Sequence, residues 1–563
     1  MDIPAAAVKS LARGAGLLPD RDVARIGQSL QLTAAGVALR PVHLAAASAR
    51  FGRELGLISL SALARAVGLE PASPFEVDPR DRRFDDPAWQ DNPAYYSLHQ
   101  CFLALTKLTE ALVTDAGLDP TTEGKARMAT GLILDLIAPT NFPLTNPAVL
   151  KRAFDTGGIS VLKGVRNLVD DVVHNHGQPR QVDRSSFTVG ENLAATPCKV
   201  VYRNEFMELL QYEPQTSQVH EAPLLCSPPW INKYYIMDLA PDRSFIEWAV
   251  KQNRTVFAIS YVNPGAEMAD ATMADYLTQG PVTALDVIAD ITGAETIDIV
   301  GLCLGGALTV IADSYLAHQG DTRVGTLTLL NTMLDYSDPG PLGVFTDAAT
   351  VDRLTRQMSH TGHLDGAAMA GAFDVLRAND LIFNYVVSGW LMGQSPPAFD
   401  ILAWNADNTR LPSAMHSFYL RNFYVENRLA AGDLEIAGER IQLCNLTSSC
   451  YVVSAVNDHI VPWHSGYATT QLVSGHVRYV LSSGGHIAGI VNPPGPKGWY
   501  LTGDELPPTA DAWRETATRH TGSWWEDWAA WSTASSGDLI DPPALGSARH
   551  PVLGHGPGTY VLT

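Results

Sequence analysis

The sequence predicts an α/β core preceded by a mostly helical domain, and three observations carry that reading. Before about residue 200 apolar residues recur at helical spacing, whereas beyond it short β-branched runs alternate with amphipathic stretches. A glycine-flanked cysteine stands at the end of one of those runs. With 563 residues the chain has room for two to four domains of roughly 150 residues each.

In the first half, residues 59–66, 97–116 and 150–173 place apolar side chains at i, i+3, i+4 and i+7, so residues 1–200 are expected to form an α-helical domain. A Pro-, Asp- and Arg-rich stretch, 71–93, reads as a surface loop within it. In the second half the apolar runs are 222–226, 255–260, 296–302, 324–332, 451–456 and 477–481, with helical patterns at 268–292 and 307–318 between them. Strands separated by helices of this length imply βαβ crossovers and a buried parallel sheet over 201–563. Residues 334–449 far exceed the usual connection of about two to six residues, so a cap or lid is inserted there.

Composition narrows the function. Charged residues are only 17% of the chain, below the roughly 25% of ordinary soluble domains, which leaves an unusually apolar surface. The net charge of −20 repels phosphate backbones and anionic headgroups, so no nucleic-acid partner is expected. No apolar run approaches the 18 or so residues of a membrane span. Lys9 and Arg13 interrupt the apolar residues of 1–20, which therefore lack the core of a signal peptide. The six cysteines, 101, 198, 226, 303, 444 and 450, form no C-x-x-C pair or metal-like cluster, and a reducing cytoplasmic setting is the default.

The chemistry centres on Gly301-Leu302-Cys303-Leu304-Gly305-Gly306. A strand that turns sharply into a helix crowds the positions two before and two after the turning residue, where a Cβ would collide. Strand, turn and helix in that order form the nucleophile elbow of an α/β-hydrolase fold, here with cysteine in place of serine. The acid and the base of such a site follow later in the chain, each just past a strand. Asp458, after 451–456, and His486, after 477–481, occupy those places, with His459 and His464 as the alternative bases. His416, inside the insertion, reads as structural or lid-lining.

These residues resemble those of the polyhydroxyalkanoate synthases, which make the polyester of bacterial storage granules. The family's G-x-C-x-G-G box is matched at Gly301 to Gly306, its Asp-His-hydrophobe-x-Pro-Trp element at Asp458 to Trp463, and its Gly-His-Ile-Ala-Gly and Asn-Pro-Pro elements between Gly485 and Pro494. Segments 141–166, 190–204, 228–238, 404–427 and 522–531 are similar to family segments too, so the likeness covers nearly the whole chain. Asn457, where members often carry an acid, and the loose 267–276 stretch are departures that spare the triad. The length resembles the single-polypeptide classes.

The resemblance implies a (R)-3-hydroxyacyl-coenzyme A substrate, whose acyl group loads Cys303 and is then attacked by a hydroxyl to extend a polyester. It implies no metal or redox cofactor, a homodimer, and association with the growing chain and the granule surface. A thiol suits this because one thioester is exchanged for another at little free-energy cost. Backbone N–H groups of Leu304 and of the loop near Ile231 are expected to hold the oxyanion. His459, Trp404 and Tyr419 are candidate linings of the substrate channel, with Phe418, Phe423 and Tyr424 along an apolar product path. Trp524, Trp525, Trp528 and Trp531 lie on one helix face, where they either pack inward or touch polymer. A thiol esterase or depolymerase of the same fold, and a catalytically silent granule-binding protein, are the competing functions.

Overall fold

The computed structural model describes residues 20–563, so the 1–20 segment read for a signal peptide lies almost wholly outside the described residues. Two compact units emerge, one of residues up to Asp183 together with Gly371–Ala398, the other Arg184–Ala370 with Phe399–Thr563. The chain therefore changes character at 183/184, ahead of the expected boundary at 200. Residues 371–398, inside the expected cap, group with the N-terminal helices. Helical periodicity identifies an apolar face but not the core it joins, which is why the sequence could not assign that segment.

The first unit is helical: α1 Asp20–Ala38, α2 Pro41–Ala66, α3 Pro93–Asp115, α4 Pro120–Ile137, α5 Pro147–Asp155 and α6 Ile159–His174. Four of these open on proline at the first turn, where the missing N–H costs no hydrogen bond, and the Asn92, Asp119 and Asn146 side chains cap α3, α4 and α5. The helix expected at 150–173 is two helices. Gly157 and Gly158 between them have φ of 57° and 85°, a left-handed bend that side chains resist. Nor is 71–93 a mere surface loop. Its Phe75, Phe84 and Trp89 are buried, with Phe84 stacked on His99 and packed against Phe102.

One face of α6 packs on 386–391, where a Cβ at Gly164 would meet the Trp390 carbonyl at 2.0 Å and Asn167 Nδ2 donates to the Gly389 carbonyl. The other face leaves Val161, Leu162, Val165, Val169, Val172 and Val173 exposed. No helix among the described residues is long and apolar enough to cross a membrane.

The second unit holds, among the described residues, an eleven-stranded mixed sheet. In chain order its strands are β1 Cys198–Arg203, β2 Met207–Tyr212, β3 Leu224–Ser227, β4 Val256–Tyr261, β5 Ile297–Leu302, β6 Val324–Leu330, β7 Ser449–Ala455, β8 Val477–Ser482, β9 Trp499–Thr502, β10 Thr518–Thr521 and β11 Gly554–His555. The spatial order is β10-β9-β8-β7-β6-β5-β3-β4-β2-β1-β11, and the six strands from β8 to β4 run parallel. Antiparallel strands flank them on both sides.

Helices α7 Thr283–Thr292 and α8 Leu304–His318 flank β5 in the chain as expected. Between β6 and β7 the insertion contributes, to this unit, α9 Ala348–Thr361 and α10 Ser413–Tyr419. Between β10 and β11 comes α11 Trp524–Thr533. Trp524, Trp525 and Trp528 of α11 are buried, so the inward-packing reading of the tryptophan face holds for them. Parallel strands buried on both faces explain why the sequence runs are continuously apolar, and why their C-terminal ends, where the loops emerge, carry the polar residues.

Candidate active site

Cys303 sits where β5 ends and α8 begins, at φ 52° and ψ −116°, a conformation that L-residues avoid unless the surroundings impose it. The glycines around it impose it. A Cβ at Gly301 would lie 2.4 Å from Gly306 Cα, one at Gly305 would lie 2.2 Å from the Ser227 carbonyl oxygen, and one at Gly306 would meet Thr332 Oγ1 at 2.0 Å. The first two confirm the crowding read from the motif, and Gly306 is a third requirement. The Cys303 N–H donates to the Leu330 carbonyl at 2.8 Å, pinning the elbow to β6, and its thiol is half-buried.

Asp458 and His486 emerge from β7 and β8, next to each other in the sheet. His486 Nδ1 is 2.7 Å from Asp458 Oδ2, with the carboxyl fully buried and the imidazole nearly so. The other carboxyl oxygen, Oδ1, accepts the N–H groups of Ile460 and Val461 at 2.8 and 2.9 Å, so the acid is fixed from both sides. Burial by itself would lower the His486 pKa, but the charge and hydrogen bond of Asp458 and the hydrogen bond and charge of Cys303 raise it to about 10. The Asp458 carboxylate thus favours the protonated form of the His486 imidazole.

Of the alternative bases, His464 is engaged with a different acid. His464 Nε2 contacts Asp511 Oδ1 at 3.0 Å, and the ring packs on Trp463. His459 follows Asp458 and is half-buried. His416 is buried on α10, and burial lowers its pKa to about 4, which keeps it neutral, as the structural reading expects.

The candidate oxyanion groups are positioned by the same crowding. The close approach of Gly305 to Ser227 and Pro228 brings the loop after β3, which contains Ile231, against the elbow. Leu304 opens α8, so its N–H has no intrahelical acceptor. The neighbouring Asn232 N–H donates to Thr409 Oγ1 at 2.7 Å. That loop is tied to the insertion four times in all, since Thr409 Oγ1 also donates to the Trp230 carbonyl, the Trp404 indole N–H to the Lys233 carbonyl at 2.7 Å, and the Tyr235 hydroxyl to Asp407. Trp404, expected to line a channel, is buried and serves as one of these ties.

Tyr419 belongs to an aromatic group in which Tyr336 meets it edge to face at 6.2 Å and meets Tyr424 at 4.8 Å, and Cys303 packs against the core cluster that holds Tyr336 and Tyr419. Burial raises the phenol pKa of all three tyrosines. Tyr419 also meets Trp230 edge to face, with ring centroids 6.2 Å apart. The sequence reading did not single out Tyr336 or Asn331. The latter donates its side-chain amide to the His486 carbonyl.

Comparison with known proteins shows the family of the chain. Residues 80–249 match the model described as the poly-beta-hydroxybutyrate polymerase (PhaC) N-terminus, and 243–493 match the alpha/beta hydrolase fold. The chain is 38% identical to the poly(3-hydroxyalkanoate) polymerase of Methylorubrum extorquens, covering 98% of this chain and 92% of the relative. It is 40% identical to poly(3-hydroxyalkanoate) polymerase 2 of Ectopseudomonas oleovorans, over 93% of this chain and 92% of that one. With the polymerase subunit PhaC of Cupriavidus necator the identity is 38%, over 94% and 90%. A glycine-crowded cysteine elbow with its histidine and acid, on a chain alike from end to end, places this protein in the poly(3-hydroxyalkanoate) polymerase family.

Proposed function

We propose that the chain polymerises (R)-3-hydroxyacyl groups from coenzyme A into polyester, through a thioester on Cys303. The observation that carries this is the glycine-crowded Cys303 elbow on a sheet whose neighbouring strands also deliver an imidazole held at Nδ1 by Asp458. The Cys303 thiolate attacks the thioester carbonyl, and backbone N–H groups of Leu304 and Ile231 receive the oxyanion. As the tetrahedral adduct collapses, the carbon–sulfur bond to coenzyme A breaks and the departing thiolate takes the proton from His486. In the second half, neutral His486 accepts the proton of an incoming 3-hydroxyl group. The oxygen attacks the acyl-Cys303 carbonyl, an ester forms, and the cysteine leaves as thiolate beside the regenerated imidazolium.

Water competes with that hydroxyl, and the buried rings of Tyr336 and Tyr419, with half-buried Tyr424 against them, support its exclusion. The exposed apolar stripe of α6 supports contact with the water-insoluble product, as granule association requires. Incubation with 3-hydroxybutyryl-coenzyme A tests the reading: coenzyme A release with insoluble polyester is expected. Release with free 3-hydroxy acid instead would make the chain a thioesterase.

A further inference from the structure

We infer that Asn331 is a positioning residue for the proposed triad, one that sets where the His486 imidazole stands. The inference rests on the pairing of Cys303 with His486 and adds the residue that aligns it. Asn331 lies where three segments converge. It follows Leu330, whose carbonyl accepts the Cys303 N–H, and its own N–H donates to the carbonyl of Val453 in β7, the strand that leads to Asp458. Its side-chain amide reaches across 155 residues of sequence to the main-chain carbonyl of His486. One residue therefore touches or adjoins the segments that carry the nucleophile, the acid and the base.

The His486 ring needs such an anchor. Asp458 holds one atom of it, Nδ1, and a ring held at one atom can still swing about that contact. On its N-terminal side the main chain is held at Gly484 and Gly485, whose carbonyls accept the Asn457 and Gly489 N–H groups, but neither residue has a side chain to pack beside the ring. The far side of the turn is fixed at Gly489, whose carbonyl accepts from Ser482 Oγ and the Trp524 indole. Asn331 supplies the contact at His486 itself. With the carboxylate at one end of the residue and the amide at the other, the second ring nitrogen has a defined place beside Cys303.

The residue type follows from the geometry. A carbonyl acceptor requires a donor, which excludes Asp, Val and Leu. The backbone at 331 has φ 43°, a left-handed conformation that asparagine adopts more readily than other residues with a Cβ. Asparagine satisfies both conditions at a fully buried site.

The test is the pH dependence of Cys303 alkylation by iodoacetamide in the full chain, read on the Cys303 peptide by mass spectrometry so that exposed Cys444 does not interfere. Asn331→Gly keeps the left-handed turn and removes the amide, while Asn331→Asp keeps the shape and turns an oxygen toward the carbonyl. Wild type is expected to be alkylated faster near pH 6 than free cysteine under the same conditions. Each variant is expected to lose about tenfold to a hundredfold in that rate. A merely structural residue would move the unfolding temperature and leave the profile of the folded protein in place. A wild-type profile in either folded variant would overturn the role of Asn331. A wild-type enzyme alkylated no faster near pH 6 than free cysteine would overturn the pairing beneath it.

Discussion

Asp458 gives its two carboxyl oxygens different work: Oδ2 faces His486 Nδ1 at 2.7 Å, while Oδ1 is occupied by the N–H groups of Ile460 and Val461. An acid held in this way fixes the tautomer of the imidazole, and loss of that function in a serine triad costs about 10⁴-fold. Cysteine is far more acidic than an alcohol, so the two half-reactions depend on the acid unequally. Asp458→Asn is expected to keep measurable single-turnover loading of Cys303 while polymer elongation falls much further. Rapid-quench acylation beside steady-state polymerisation checks this, and an equal fall in both would reduce Asp458 to an orienting group only.

Cys303→Ala is expected to abolish coenzyme A release with the fold retained. Cys303→Ser should be nearly as inactive, because its hydroxyl resists deprotonation and its ester is a poor acyl donor. In the wild type a labelled acyl group should be displaced by hydroxylamine, as thioesters are. Ordinary turnover by the alanine variant would end the nucleophile assignment.

The elbow glycines are expected to respond differently to the same added methyl group. At Gly305 the new Cβ meets main-chain atoms of Ser227 and Pro228, which cannot yield without moving β3. At Gly306 it meets the Thr332 side chain, with Oγ1 at 2.0 Å and Cβ at 3.0 Å. Gly306→Ala should therefore recover a good part of its stability, of the roughly 1–3 kcal/mol that overpacking costs, when combined with Thr332→Ala. Gly305→Ala should gain nothing from Thr332→Ala. Denaturant midpoints of the four variants decide it.

A pH dependence of stability comes from Asp238. Burial pushes its carboxyl up to about 6, against the hydrogen bonds of Thr196, Ser244 and Tyr212. A carboxyl whose folded pKa exceeds its unfolded value of about 3.9 holds its proton more tightly in the folded state. Its contribution is therefore greatest below about pH 4 and is lost as the pH rises through 6. Asp238→Asn removes that slope. Urea unfolding at pH 4 and pH 7 is expected to show the variant gaining on wild type by on the order of 3 kcal/mol, and a constant difference would refute it.

The apolar stripe of α6 is expected to bind polyester. Replacing exposed Val165 and Val169 together with lysine should reduce co-sedimentation with polyester granules several-fold, since each buried aliphatic side chain contributes about 1.5–3 kcal/mol. Initial coenzyme A release from soluble substrate should stay near wild type. Unchanged sedimentation would assign the granule contact to another surface.

The parts of this molecule that were legible in sequence are those where one residue carries its own signal. The parallel strands β3 to β8 are nearly unbroken apolar runs, and the elbow glycines are dictated by local crowding. Strands β1 and β2 were not foreseen because Arg203, Glu208 and Gln211 interrupt them. Those residues are accommodated by partners far away in the chain or across the hairpin: Arg203 pairs with Glu208, and Gln211 bonds Ala544 and Gly546. Asn331 was silent for a related reason, since its partner is a main-chain carbonyl, and a carbonyl has no letter in the sequence. The oxyanion donors share that silence.

The four ties between the loop after β3 and residues 404–409 have a mechanical consequence. An insertion over an active site suggests a door that swings clear of the reacting atoms. Here the stretch from Trp404 to Thr409 is bolted to the segment that carries Ile231, so it cannot lift without dragging a candidate oxyanion donor with it. A displacement of 404–409 is therefore transmitted to the loop after β3, and the two stretches behave as one piece.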